Sequence, residues 1–104
     1  MDENFVAERI AELRTQMGIS ARDMSLSMGL ADNYINNIEN KKSYPSIQGL
    51  FHICEYLKVT PKEFFDDENT APNILNDLTA EMKSLKKSAL EYLLGFIREI
   101  RDKR

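Results

Sequence analysis

The sequence predicts an all-α fold. Three observations carry this. Apolar residues recur at three- and four-residue intervals along most of the chain, the period of one face of a helix. Short capping residues stand at the head of several stripes, at Ser20, Ser46 and Thr60. Glycines stand where helices must stop, at Gly18 and Gly29. At 104 residues the chain is one domain, or one domain with an appendage.

The first helix has Asn4 as a candidate N-cap and a core stripe of Val6, Ile10, Leu13 and Met17, which Phe5 extends. Gly18 ends it. Ser20 opens a second helix with Asp23 three residues on, a pattern resembling a capping box with a shorter acid. Met24 and Met28 face inward, and Gly29 makes a tight turn. A third helix spans roughly Ala31 to Glu39. Ile35 and Ile38, three apart, share its inner face. Asp32, Asn33, Asn36 and Asn37 fall together on another face. Asparagine is a mediocre helix former, so this polar face does not serve helix stability. An asparagine amide can pair bidentately with adenine in a DNA major groove. Two short helices, a tight turn and a polar second helix have the shape of a helix-turn-helix that reads DNA.

The stretch from Gly18 to Lys42, with GIS, Met24-Ser25, Met28-Gly29, Tyr34-Ile35, Ile38-Glu39-Asn40 and Lys42, followed by YPSIQGL, resembles the phage-repressor (Cro, or XRE-type) helix-turn-helix family. Gly18, Gly29, Pro45-Ser46 and Phe64-Phe65 also sit where that pattern puts them. The likeness runs from about Phe5 to Phe65. It implies a five-helix, lambda-repressor-like domain, usually a dimer on palindromic operators. It also implies an ion pair between Arg14 and Glu39, tying the first helix to the end of the third; the alternative is two separately solvated charges. Three departures stand out. Ala21 replaces a phosphate-contacting glutamine, and Arg22 is a candidate substitute. Ala31 replaces a serine or threonine cap, and Asp32 is expected to cap instead, its other reading being a groove residue that accepts from cytosine. Lys41 replaces a glycine; if a left-handed backbone is needed there, Asn40 is the alternative carrier.

The candidate DNA-binding residues are Arg22, Asp32, Asn33, Tyr34, Asn36, Asn37, Lys41, Lys42 and Ser43. Asn33, Asn36 and Asn37 are the base readers; the plainer reading is a solvated polar face. Tyr34 packs by its ring and offers its hydroxyl to a phosphate. The Lys41-Lys42-Ser43 turn supplies cations of the kind that position a protein on a duplex.

Ser46 caps a fourth helix with the stripe Ile47, Leu50, Phe51, Cys54 and Leu57. Thr60-Pro61-Lys62-Glu63 is a capping box that starts a short fifth helix, with Phe64 and Phe65 closing the core. The one histidine, His52, and the one cysteine, Cys54, are two residues apart on a helix and point to different sides of it, which argues against a zinc site. Cys54 is a small buried apolar residue. Neither a glycine-rich phosphate loop nor a Ser/His/Asp set is present, so the chain reads as no enzyme and calls for no cofactor.

Asp66 to Ala71 is a polar, acidic hinge. It separates a helix-turn-helix domain at 1–68 from a helical segment at 72–104, opened by Pro72. There Ile74, Leu75, Leu78, Met82, Leu85, Ala89, Leu93, Phe96, Ile97 and Ile100 recur at helical spacing, as one helix or two broken near Ser84. This stripe must fold back on its own domain or meet a second chain. Pairing with a second copy is favoured, through Leu78, Met82, Leu85, Leu93, Ile97 and Ile100.

No apolar run spans a bilayer, and the acidic start MDENF leads straight into helix, against a signal peptide. A lone cysteine fits a reducing compartment, and a cytoplasmic location is expected. The net charge is −3. Residues 1–69 hold seven Lys/Arg against twelve Asp/Glu, a difference of −5, and residues 70–104 hold seven against five, a difference of +2. DNA affinity rests largely on phosphate neutralisation, so strong non-specific binding is disfavoured. The expected function is that of a sequence-specific DNA-binding transcription regulator, a repressor, acting as a homodimer on a palindrome. The competing expectation is a protein-interaction or antitoxin-type module whose DNA binding is weakened or lost.

Overall fold

The computed structural model describes residues 2–102. The chain is helical, with α1 (Phe5–Gln16), α2 (Ala21–Ser27), α3 (Tyr34–Glu39), α4 (Ile47–Leu57), α5 (Pro61–Phe64), α6 (Pro72–Met82) and α7 (Lys87–Asp102). No strand forms among the described residues. The chain divides into two compact units, Met1–Asn73 and Ile74–Arg104.

The core of the first unit draws on every helix from α1 to α5. Ile10 and Leu13, Met24 and Met28, Ile35 and Ile38, then Ile53, Cys54, Leu57, Val59 and Phe64 are all buried together. Each large side chain moved from water contributes about 1.5–3 kcal/mol. Val6 and Met17 pack at the edge of this cluster rather than inside it. Phe65 is also peripheral, 38% exposed, with its ring stacked on Phe5 at 5.8 Å. Phe64 is fully buried and meets both rings edge-on.

Helix starts follow local side-chain chemistry. Ser20 accepts from the Asp23 amide at 3.0 Å, and Ser46 from that of Gly49 at 3.0 Å. Thr60 and Glu63 exchange both bonds of a capping box, at 3.0 and 2.9 Å. Asn4 stands at the cap position of α1, but its side chain makes no cap bond.

The structure revises two elements. The stripe predicted for the fourth helix included Ile47 and Phe51, yet these are 75% and 55% exposed. Leu50, Ile53, Cys54 and Leu57 share the buried face at positions i, i+3, i+4 and i+7. Phe51 lies about 100° around the helix from Leu50, and Ile47 stands in the first turn, ahead of the core. The third helix begins at Tyr34 rather than Ala31, with Asn33 at the cap position.

The second unit is two helices rather than one. α6 ends at Met82, and α7 starts at Lys87. None of the α7 side chains is buried. No helix among the described residues is long and apolar enough to cross a membrane.

Candidate nucleic-acid interface

The candidate interface is built on α2, the turn after it, and α3. The turn starts where Gly29 takes a left-handed backbone at φ +78°. The Gly29 amide donates to Leu26 and the Leu30 amide to Ser25, at 3.0 Å each, which closes a Schellman motif. Ser25 then crosses the turn. Fully buried, it donates its hydroxyl to the Ala21 carbonyl at 2.8 Å and accepts from the Ile35 amide at 3.0 Å. Ile35 is the second residue of α3, whose amide an N-cap side chain normally satisfies. Ser25 takes that role, so α3 starts without a cap bond from Asn33. Asp32, expected to cap, lies one residue too early. It is exposed and faces Arg22, with Nη1 and Oδ2 3.4 Å apart. Both side chains are more than half exposed, so this pair contributes little to stability.

Ile35 and Ile38, 0% and 2% exposed, hold one face of α3 against the core. Asn33 and Asn36 are exposed on the other side, and Asn37 is half-buried. Among the described residues no hydrogen bond ties up their side-chain amides. Tyr34 is half-buried, and its hydroxyl lies against the first turn of α4. A Cβ on Gly49 would come within 2.7 Å of it. A side chain at 49 would push the Tyr34 hydroxyl aside.

α3 ends in a second Schellman motif. Lys41 itself adopts the left-handed conformation, φ +63°, and Asn40 does not. The Lys41 amide donates to Ile38 at 3.0 Å and that of Lys42 to Asn37 at 2.9 Å. Lys41, Lys42 and Ser43 are all exposed beside α3.

Arg14 fixes the far end of α3. Its Nε and Nη2 grip the two carboxylate oxygens of Glu39 at 2.7 and 2.8 Å, and its Nη1 donates to the Ile19 carbonyl at 2.8 Å. The hydrogen bonds it donates to Glu39 push the Arg14 guanidinium above its ordinary pKa. One fork thus joins α1, the turn after Gly18 and the last residue of α3.

A helix-turn-helix domain of the XRE type matches residues 7–70, well over half the chain. The chain belongs to the helix-turn-helix family. That family comprises DNA-binding transcription regulators. No curated protein and no solved structure matches the chain.

Within this helix-turn-helix unit, two positioning residues escaped the sequence reading. Ser25 is one. It shares a face with Ala21, Met24 and Met28, and a hydroxyl in such a stripe signals a buried bond. Arg9 is the other. It is 3% exposed and sits four residues from both Phe5 and Leu13, inside the apolar face of α1. Of the candidate pairing residues, Leu78, Leu85, Ile97 and Ile100 are exposed, while Met82 and Leu93 are half-buried. Leu85 falls in the bend between α6 and α7 rather than on a helix. Among the described residues no cluster of His, Cys, Asp and Glu is suited to hold a metal ion. Burial pushes the Cys54 thiol up, which keeps it protonated and inert.

Proposed function

We propose that the chain is a sequence-specific repressor that binds a palindromic operator as a homodimer, with α3 in the major groove. One observation carries this reading. α3 is clamped from three sides, by Ser25, by Ile35 and Ile38, and by the Arg14–Glu39 fork, while its asparagines are left free to face outward. In this reading Asn33, Asn36 and Asn37 contact base edges, each good bidentate pair being worth about 1–3 kcal/mol of discrimination. Lys41, Lys42, Ser43 and Arg22 meet phosphates and fix the register. The second unit pairs two copies, so that two α3 helices sit about 34 Å apart, one turn of DNA.

A second reading, an interaction or antitoxin-type module with weak DNA binding, is favoured by the acidic balance of residues 1–69 and by Asp32, which partly neutralises Arg22. Selection from random duplex DNA at moderate salt separates the two: a repressor enriches a palindrome, and an interaction module enriches nothing. On the enriched site, Asn36→Ala or Asn37→Ala is expected to shift the preferred base. Lys42→Ala is expected to weaken all sequences alike and lower the salt slope by about one. Binding unchanged in every variant would refute the assignment.

A further inference from the structure

The chain between α5 and α6 has the composition of a loose hinge, DDENTAPN, but it is held down along its length. The Arg9 guanidinium converges on it from α1. Nε donates to the Phe64 carbonyl at 2.8 Å, and Nη2 reaches those of Glu63, Asp66 and Asn69 at 2.8, 3.1 and 2.8 Å. Nη1 pairs with Glu12, which completes the buried fork. The carbonyls of Glu63 and Phe64 are helix-end acceptors that any cation could satisfy. Asp66 and Asn69 lie beyond the helix, and α5 does not need them. Further on, the Gln16 amide donates to the Thr70 carbonyl, and Pro72 is fully buried. The Asn73 amide donates at 2.9 Å to the carbonyl of Leu57, the last residue of α4. α6 begins inside this anchored stretch, at Pro72.

We propose that Arg9, with Gln16 and Asn73, positions the exit of the chain so that the paired molecule accepts one half-site spacing. This rests on the repressor reading above. A free eight-residue linker wanders about 5–6 Å times the square root of its length, roughly 16 Å. Base pairs rise about 3.4 Å each, so such a linker would tolerate a shift of several. Pinning residues 66–73 removes that slack from the eight-residue stretch itself. Arg9 is thus a positioning residue for operator geometry, acting without touching DNA.

The test uses the full chain and duplexes carrying the enriched palindrome, the same site with one base pair inserted or deleted at its centre, and a single half-site. Wild type is expected to lose at least tenfold in affinity on either altered spacing. Arg9→Lys, which keeps the charge but not the fork, is expected to cut that penalty to about threefold or less while half-site affinity holds. Gln16→Ala combined with Asn73→Ala spares the buried core and is expected to do the same should Arg9→Lys fail to fold. Folded variants that keep the tenfold penalty, or that lose half-site affinity as fast as palindrome affinity, would overturn the inference and leave the repressor reading standing. A wild type that enriches no palindrome would bring down both.

Discussion

Ser25 does for α3 the work that a capping side chain normally does, from a different helix. Among the described residues, its hydroxyl is the hydrogen-bond partner of the buried Ile35 amide. Removing it leaves that amide desolvated and unpaired, at a cost of about 1–3 kcal/mol. Ser25→Ala is therefore expected to lower the melting temperature by roughly 10 °C in calorimetry, since 1 kcal/mol shifts a domain of this size by about 4–8 °C. Asp32→Ala, at the position expected to cap, should change stability by no more than about 0.5 kcal/mol. The contrast shows what is legible at this scale. Ser20, Ser46 and Thr60 cap their own helices within three residues, and adjacency in sequence betrays them. Ser25 caps a helix ten residues away, and Arg9 reaches carbonyls more than fifty residues away. Nothing local in either side chain names its partner; only the misfit of a polar residue in an apolar stripe marks it.

At the scale of the element, helix ends repeat one solution with different residues. Gly18 and Gly29 take positive φ, and so do Lys41 and Lys58. The glycines are legible because their conformational freedom is their signature. The lysines are not, because a lysine usually signals only solvent. After α4 the Lys58 amide donates to Glu55 at 3.2 Å and the Val59 amide to Cys54 at 3.0 Å, so the motif is complete despite the side chain. A left-handed residue other than glycine costs about 1–2 kcal/mol, partly offset by the greater unfolded-state entropy of glycine. Lys58→Gly is expected to raise the melting temperature by roughly 4 °C. The error over α4 has a related cause. Apolar residues at 47 and 51 fit a helical period, but period alone does not fix which side of a wide stripe meets the core. Neighbouring helices decide that, and they chose the side that carries Ile53.

The whole molecule combines an acidic helix-turn-helix unit with a second unit of exposed apolar side chains. Leu75, Leu78, Ile97 and Ile100 are each about half exposed, and Phe96 is 55% exposed. Apolar side chains this numerous and this open to water are what the proposed pairing of two copies would cover. The compact first unit runs to Asn73, past the hinge read from composition, because Arg9, Gln16 and Asn73 hold the intervening residues. A chain lacking residues 74–104 is accordingly expected to keep its helical circular dichroism and its cooperative melt, but to scatter light as a monomer. A folded dimer from that shortened chain would remove the tail from the mechanism. Should the tail pair copies as proposed, the two bare ridges on α6 and α7 also turn abundance into information. Dimers then accumulate as the square of chain number when protein is scarce, so promoter silencing would switch on across a narrow range of expression instead of rising in proportion to it.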